Sequence, residues 1–245
     1  MARTEFNHDQ FSEAYPPGIE RSWWHTGRNR IIGRSIARHL PRDARILEIG
    51  CGTGIVTAAL RRMGFDVSGV DLGEPKTGLH ALEHLTLRTN ALELPPDTRS
   101  RFTAIGVFDV IEHIEDAPAF MKAIFAAFPN VQHIIVTVPA RQELWTSFDD
   151  HYGHFRRYDL ALLRNEFQQI GVRTLHAGYF FHGVYPAILL NNLLRGRQRN
   201  INFKAPGPGL PSAVNGIIGA LFSLEAMMLP NSIPGSSIIA VAQRS

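Results

Sequence analysis

From residue 45 onward, short runs of β-branched and apolar residues alternate with stretches in which apolar residues recur at helical spacing. The strand-like runs cover residues 45–49, 66–71, 85–88, 102–108, 131–138, 172–179 and 237–242, and the main helical stretches between them cover 55–63, 117–128 and 159–171. Such alternation is typical of a parallel sheet with crossover helices. The run 131–138 is apolar enough for a strand buried on both faces. The pattern therefore predicts a single α/β domain over residues 1–245.

Two additions to the sheet are predicted. An amphipathic helix over residues 23–40 belongs to an N-terminal cap, 1–41, and its apolar face carries Trp24, Ile31, Ile32, Ile36 and Leu40. The second addition, 180–236, lies before the last strand and has two apolar helical patterns joined by a stretch rich in proline and glycine. We expect it to form a helical lid that binds the acceptor substrate, not a separate domain.

Composition narrows the class of protein. With 245 residues, 44% hydrophobic and 19% charged, the chain is suited to one large core, which excludes a disordered or fibrous protein. The single cysteine, Cys51, cannot form an internal disulfide, and the polar N-terminus does not resemble a secretory signal, so we expect a cytoplasmic location. Neither of the most apolar windows, 179–194 and 214–229, has the ~20 uninterrupted apolar residues of a membrane span.

The basic residues are concentrated towards the C-terminus. The net charge is +3, but residues 160–245 contain 7 basic and 2 acidic residues, with a cluster at Arg195, Arg197, Arg199 and Lys204. An anionic partner surface and an ordinary solvated loop both fit this cluster. We favour the solvated loop, expect no nucleic-acid partner, and retain peripheral membrane contact as an alternative.

A glycine loop, GCGTG at residues 50–54, directly follows the first strand and opens a helix, where backbone can approach a ligand closely. Its spacing differs from the G-x-G-x-x-G of dinucleotide enzymes, and Glu48 would repel a pyrophosphate but suits a cationic amine. Asp71 ends the second strand, where a carboxylate can accept hydrogen bonds from both ribose hydroxyls. Together these features indicate an adenosine ligand without phosphates.

At this point the sequence resembles the class I methyltransferases that use S-adenosylmethionine. The segments ILEIGCGTG, VDL, LTLRTNALELP and FDVIEHIED match four family motifs in order and spacing, and the resemblance covers nearly the whole chain. The segments WWHTGRNRII, GHFRRY and IPGSSIIAVAQR resemble a bacterial biosynthetic-cluster group, and FDVIEHIED is similar to the ubiquinone-type O-methyltransferases. The resemblance implies a Rossmann-like, mostly parallel seven-stranded sheet in the order 3-2-1-4-5-7-6, with the last strand antiparallel.

The resemblance also implies which residues bind S-adenosylmethionine. The predicted set on the sheet edge is Glu48, Gly50, Cys51, Gly52, Thr53, Gly54, Asp71, Leu72, Asn90 and Ala91. Glu48 would orient the amino-acid end and Asp71 the ribose, whereas Cys51 fits a space filler better than a nucleophile. Asn90 stands where the family usually has Asp, and its amide can still bond to adenine. On the leading helix, Arg28 is predicted to pair with the cofactor's carboxylate and Trp24 to face the sulfonium; a solvated helix face and core packing fit these two residues equally.

The acceptor side is predicted from two loops that contain histidine. Glu112 and His113 follow the fourth strand, and His154 follows the fifth. One interpretation makes them catalytic, with a histidine as general base. A second, by resemblance to small-RNA 2′-O-methyltransferases, makes Asp109, Glu112, His113 and His154 ligands of Mg²⁺. A third gives them a structural role only, and residues 155–158 fit acceptor binding and helix anchoring equally.

Taken together, the sequence predicts transfer of a methyl group from S-adenosylmethionine to a small-molecule or lipid-like acceptor, most simply at oxygen in a biosynthetic pathway. Residues 184–229 are expected to supply the hydrophobic wall of the acceptor site. Two alternatives belong to other classes: an NAD-dependent oxidoreductase on a similar sheet, and a module that binds S-adenosylmethionine without catalysis.

Overall fold

The computed structural model describes residues 13–75, 78–199 and 204–244. Residues 1–12 of the predicted cap and 200–203 of the predicted lid lie outside the described residues. The strands are β1 (Arg45–Ile49), β2 (Asp66–Val70), β3 (Leu85–Thr86), β4 (Ala104–Phe108), β5 (His133–Pro139), β6 (Val172–Phe180) and β7 (Ser237–Arg244). The helices are α1 (Trp23–His39), α2 (Ile55–Arg62), α3 (Pro96–Arg99), α4 (Ala117–Ala127), α5 (Ser147–His151), α6 (Leu160–Gln169), α7 (Val184–Arg195) and α8 (Leu210–Met228).

The strands form one seven-stranded sheet in the order β3-β2-β1-β4-β5-β7-β6, which confirms the predicted topology. All neighbours pair in parallel except β7, which is antiparallel to both β5 and β6. Every residue of β4 is buried, and so are the first six residues of β5, because helices cover both faces of the central sheet. The carboxyl ends of β1, β2, β4 and β5 therefore meet at one edge, where loops can form a site.

Local sequence signals account for most element ends. Asp159 begins α6 as predicted, because its carboxylate accepts a hydrogen bond from the backbone N–H of Leu162 at 2.7 Å. Asp116 does the same for α4 through Ala119, at 2.9 Å. The predicted strand 85–88 is shorter in the structure. It ends at Thr86 because Arg88 adopts a left-handed backbone with φ of 56°.

Helix α1 packs on strands β1 and β4 through the apolar side that its sequence pattern predicted. Ile32 and Ile36 are buried in one cluster with Ile46 of β1 and Phe108 of β4. Helix α1 also packs against α8, which belongs to the insertion before β7. The cap helix is thus held between the sheet and the inserted helices.

Helix α8 differs from the expectation for the apolar windows. In the described part of the chain, α8 is the one helix whose 19 residues have the length and apolar composition of a membrane span, and 11% of its most apolar window is buried inside the protein. The sequence expectation required uninterrupted apolar residues, whereas α8 reaches this length and composition despite its four polar residues, Ser212, Asn215, Ser223 and Glu225.

Candidate active site

The glycine loop takes a conformation that requires its glycines. Gly50, Gly52 and Gly54 have φ of 76°, 54° and 80°, all in the left-handed region. A Cβ at Gly50 would lie 2.6 Å from a methyl carbon of Val110, and one at Gly54 would collide with the carbonyl oxygen of His80. The loop therefore turns tightly from β1 into α2, and its backbone approaches the ligand side of the sheet edge.

Asp71 fixes this loop to the end of β2. One carboxylate oxygen accepts a hydrogen bond from the backbone N–H of Gly52 at 2.7 Å, and the other accepts from Gly73 at 2.7 Å. Each carboxylate oxygen has two lone pairs and can accept more than one hydrogen bond, as a contact with ribose hydroxyls requires. The structure places Asp71 where the ribose role needs it, and that role stays a prediction.

Glu48 is buried beneath the loop, with 2% of its surface exposed. The Thr57 hydroxyl of α2 donates a hydrogen bond to its carboxylate at 2.5 Å. Burial raises the pKa of Glu48 to about 7, although the Thr57 hydrogen bond and the charge of Arg28 oppose the shift. A cationic amine bound beside this carboxylate would favour its ionised form.

Arg28 connects the cap helix to the ends of β4 and β5. Its buried guanidinium forms an ion pair with Asp109 and donates a hydrogen bond to the Thr137 hydroxyl at 3.2 Å. The guanidinium carbon lies 4.8 Å from the centre of the Trp24 ring. The proposed solvated face for Arg28 is therefore wrong, because the side chain is only 4% exposed. Trp24 packs on Arg28, and its predicted contact with the sulfonium stays a prediction.

The predicted adenine side lies next to Asp71. The backbone N–H of Thr89 donates to the carbonyl of Asp71 at 2.9 Å, which brings the following residue, Asn90, to this edge. The Asn90 side-chain oxygen accepts from the backbone N–H of Leu92 at 3.0 Å, so it caps a short turn. Ala91 is buried in the main core, whereas Leu72 is exposed.

Two further loop residues differ in their contacts. Cys51 is buried, and its side chain fills the space where a Cβ on Gly69 would lie, 2.7 Å from the Cys51 Cβ. Burial raises the pKa of its thiol, which opposes nucleophilic reactivity and supports the role of space filler. The hydroxyl of Thr53 is buried and has no hydrogen-bond partner among the described residues. A ligand group at the start of α2 would satisfy it.

The sequence analysis missed Tyr15, which reaches the glycine loop from the chain before α1. A Cβ on Gly52 would lie 3.1 Å from the Tyr15 hydroxyl. Burial raises the pKa of Tyr15, and the charged groups acting on it are Arg28, Asp71, Asp109 and Glu48. The ring therefore lies among all the predicted cofactor-binding charges. No periodic pattern in the sequence signals this contact.

The structure brings His113 and His154 together. Their ring centroids are 4.6 Å apart in an edge-to-face arrangement, and one ligand atom from each of Glu112, His113 and His154 lies within 4.8 Å of the others. The backbone N–H of Phe155 donates to the carbonyl of Glu112 at 2.7 Å and so joins the two loops. Asp109, the fourth predicted metal ligand, is not in this cluster because it pairs with Arg28.

The hydrogen bonds of the two histidines distinguish their ring nitrogens. Nδ1 of His113 lies 2.8 Å from the carbonyl oxygen of Tyr152, and Nδ1 of His154 lies 2.8 Å from the carboxylate of Asp149. Since these oxygens accept, Nδ1 carries a proton in both rings, and Nε2 is the nitrogen of each ring that does not take part in these bonds. The same arrangement serves a general base and a metal ligand.

Asp149 holds His154 in place and was not predicted. It is fully buried and accepts two hydrogen bonds from the guanidinium of Arg157, at 2.8 and 3.0 Å. Burial alone would raise the pKa of Asp149, but the His154 hydrogen bond and the Arg157 charge lower it to about 2. Arg157 therefore bonds within the protein, but it holds the Asp149 loop and not the helix α6, whose Glu166 pairs with Arg156. Arg156 also bonds within the protein, to the Glu115 carbonyl.

Burial sets the protonation of the cluster. Burial, and then the neighbouring His154, lower the pKa of His113 to about 3, so its imidazole is neutral at pH 7. Burial, and then the negative Asp109, raise the pKa of Glu112 well above its usual value. Glu112 is only 1% exposed, and its Oε2 has no hydrogen-bond partner within the described chain. A neutral imidazole beside a buried carboxyl can accept a proton or bind a cation.

The strand order, glycine loop and acidic end of β2 define a class I methyltransferase fold. The family described as the methyltransferase domain matches residues 23–177, and the chain belongs to this family. Among curated proteins, the ubiquinone biosynthesis O-methyltransferase of Methylobacterium nodulans is 29% identical over 136 residues, which cover 44% of this chain and 55% of that protein. The mitochondrial enzyme of the same name from Arabidopsis thaliana is 27% identical over 175 residues, 59% of this chain and 53% of that protein. The chain thus spans about half the length of these relatives.

Solved structures agree on the fold. A SAM-dependent methyltransferase from Archaeoglobus fulgidus has a TM-score of 0.51 at 14% identity, over 88% of this chain and 94% of that one. Magnesium protoporphyrin IX methyltransferase from Synechocystis, with bound SAH, has a TM-score of 0.52 at 15% identity, over 90% and 84%. At such identities the likeness concerns the fold alone.

Proposed function

We propose that this protein transfers the methyl group of S-adenosylmethionine to an oxygen atom of a small-molecule or lipid-like acceptor. The observation that carries the proposal is the position of two features at one sheet edge. The glycine loop is anchored by Asp71 at β1 and β2, and the neutral His113 follows β4. Family membership and the O-methyltransferase relatives support the same reaction. The cofactor supplies an electrophilic methyl group on a sulfonium.

The residues at the loop fit this cofactor. Three of the five loop residues are glycines without a Cβ, the Asp71 carboxylate lies beside the loop, and the Thr53 hydroxyl lacks a partner among the described residues. The buried Glu48 suits the cofactor's amino group, since a positive charge would stabilise its ionised form. Arg28 is near enough to act on Glu48 and can share its charge between Asp109 and a carboxylate of the cofactor.

On the acceptor side, His113 is the proposed general base. The proton of a hydroxyl becomes strongly acidic as its oxygen begins to share electrons with the methyl group, so a weakly basic neutral imidazole can remove it. The Tyr152 carbonyl orients the His113 ring, and the Asp149 carboxylate orients His154 beside it. Alignment of oxygen, methyl and sulfur supplies the larger share of the rate, on the order of 7 to 11 kcal/mol for well-oriented groups.

A metal ion is the second candidate, because Glu112, His113 and His154 bring three donor atoms within 4.8 Å of one another. Two imidazoles and one carboxylate suit Zn²⁺ or Mn²⁺ better than Mg²⁺, which prefers oxygen ligands. The fourth predicted ligand of Mg²⁺, Asp109, pairs with Arg28. We therefore favour the metal-free base. A bound metal would act there as a Lewis acid on the acceptor oxygen.

The relatives support oxygen as the atom that accepts the methyl group, and helix α7 bears on the class of acceptor. The names of the relatives describe O-methyltransferases of ubiquinone biosynthesis. Helix α7 borders the loop after β5, since the Tyr185 hydroxyl donates to Glu143 at 3.0 Å and Arg141 lies against the Tyr185 ring. The hydrophobic wall expected from residues 184–229 stays a prediction. A cytoplasmic location stays a prediction.

Calorimetry tests which cofactor the protein binds, and an assay of methyl transfer tests whether the protein is an enzyme or a binding module. We expect S-adenosylhomocysteine to bind in the micromolar range and NADH to show no heat of binding. The reverse order of affinities would establish the oxidoreductase alternative, which the family does not favour. Binding with no methyl transfer to any member of a panel of phenols and hydroxylated quinones would instead favour the non-catalytic module.

A further inference from the structure

Helix α8 meets the helix α1 largely through small and polar residues. Gly219 and Ser223 are its buried residues, and they face α1. A Cβ on Gly219 would collide with the Thr26 hydroxyl and lie 2.9 Å from the backbone nitrogen of Gly27. The two helices therefore cross at very close range, which only small residues permit.

Polar groups strengthen the same contact. The backbone N–H of Trp23 donates to the side-chain oxygen of Asn215 at 3.0 Å. Arg30 donates to the carbonyl of Gly216 at 3.0 Å, and Arg34 donates to the carbonyl of Ser223 at 2.5 Å. The side of α8 that meets the protein thus combines small residues and hydrogen bonds with one aromatic side chain, Phe222, which contacts the rings of Trp23 and Phe181. A helix on the surface of a protein in water normally buries most of its large apolar residues.

The opposite side of α8 exposes large apolar residues. Ile217 and Leu221 are each 61% exposed, and the other exposed apolar side chains of this face are Leu210, Val214, Leu224, Met227 and Met228. Helix α7 adds Leu193 and Leu194, which are 81% and 71% exposed. Large apolar side chains exposed in this number mark an interaction site. We call these outward residues of α7 and α8 the apolar face.

One carboxylate joins the two helices. Glu225 of α8 accepts hydrogen bonds from the backbone N–H groups of His182 and Gly183, at the start of α7. It is the one acidic residue in 184–245. The exposed Arg195 ends α7, and the exposed Arg197 and Lys204 lie between the two helices. The carboxylate of Glu225 is therefore hydrogen-bonded within the protein, whereas the positive charges of this region are exposed.

We propose that the apolar face docks on an anionic phospholipid surface, with α8 lying in the plane of the interface. The positive charges of Arg195, Arg197 and Lys204 complement anionic headgroups. The leucines, isoleucine and methionines of the apolar face enter the boundary between headgroups and acyl chains. A second copy of the chain would bring the same positive charges against each other. A helix that spans the bilayer would have to abandon its hydrogen bonds to Arg30 and Arg34. The proposal does not depend on the proposed methyl transfer.

Sedimentation with vesicles tests the proposal. We compare vesicles of phosphatidylcholine alone with vesicles containing 30% phosphatidylglycerol, at low and at moderate salt. The protein is expected to sediment with the anionic vesicles and to be released as salt screens the arginines. Replacing Arg195 and Arg197 with serine is expected to lower partitioning about fivefold per residue.

The double variant Ile217→Glu with Leu221→Glu is expected to remove detectable binding. Both positions are mostly exposed, so circular dichroism and the thermal midpoint should remain those of the wild type. Met63→Glu is the matched control, since Met63 is an exposed apolar residue at the end of α2, outside the apolar face, and this variant should still bind.

Four results would overturn the proposal. They are absence of binding to the anionic vesicles, equal binding to neutral ones, unchanged binding of the double variant, and resistance of the bound protein to alkaline carbonate extraction, which would indicate a spanning helix. A dimer that the double variant dissociates, without vesicle binding, would assign the apolar face to a second copy.

Discussion

The ring of His113 meets the ring of His154 edge-on, with their centroids 4.6 Å apart, although 41 residues separate them in the chain. The two residues follow neighbouring strands, β4 and β5, so the sheet order creates the contact. Each Nδ1 is bound to an oxygen of the loop that includes α5. The pair is therefore oriented before any acceptor arrives.

Substitution of the histidines separates the two proposed mechanisms. If His113 is a base, His113→Ala should lower the rate of methyl transfer by about 10²- to 10⁴-fold and leave the affinity for S-adenosylhomocysteine unchanged. EDTA should then have no effect, and His154→Ala should be milder. If a metal is bound, EDTA should abolish activity, added Zn²⁺ or Mn²⁺ should restore it, and both variants should be equally inactive. Full activity of both variants would contradict both mechanisms.

Asp71→Ala is expected to weaken cofactor binding by roughly 10²-fold or more, because two charge-assisted hydrogen bonds to the ribose are lost. A modest fall in the thermal midpoint should accompany it, since Asp71 also accepts from the backbone of Gly52 and Gly73. Asp66→Ala, at the exposed start of the same strand, serves as the control for calorimetry. Unchanged affinity in Asp71→Ala would exclude the ribose assignment.

Cofactor affinity should depend on the ionisation of Glu48. Burial raises the pKa of this carboxyl to about 7 in the free protein, so it is largely protonated at pH 6. Binding of a cationic amine requires the ionised form and should release a proton. The affinity for S-adenosylhomocysteine should therefore rise by up to about tenfold per pH unit below pH 7 and level off above it. Calorimetry in buffers of different ionisation enthalpy counts the proton, and Glu48→Gln should bind weakly with no pH dependence over this range.

The buried pair of Asp149 and Arg157 should dominate the stability of the His154 loop. Asp149→Asn is expected to lower the free energy of unfolding by on the order of 3 kcal/mol at pH 7, because it leaves a buried guanidinium without its counter-charge. The pKa of Asp149 is lowered to about 2, so the wild type keeps this stability above the usual range for Asp and loses it as the pH falls towards 2.

Denaturant unfolding measures this difference, which should shrink with falling pH. The neighbouring Asp150→Asn is the matched control, since Asp150 is exposed and its change should stay within about 0.5 kcal/mol. Equal stability of the two variants at pH 7 would contradict the role given to the buried pair.

Periodicity predicted the strands and helices because each apolar run faces a core that covers both sides of the sheet. The strand order required the family resemblance, since no local signal states which strands are neighbours. Asp149 escaped prediction because its partners His154 and Arg157 meet it only after the loop folds. Asp109 was assigned to a metal because its partner Arg28 lies 81 residues earlier, on a helix whose position the local pattern did not fix.

The contacts of α8 with α1 use one side of the helix, and the exposed apolar residues occupy the other. This separation gives a practical route to handling the protein. Positions such as Ile217 and Leu221 accept polar replacements without touching the Gly27–Gly219 crossing or the arginine hydrogen bonds behind it. A variant that is altered only on this outer surface is therefore suited to purification and crystallisation without detergent. Its cofactor loop is unchanged.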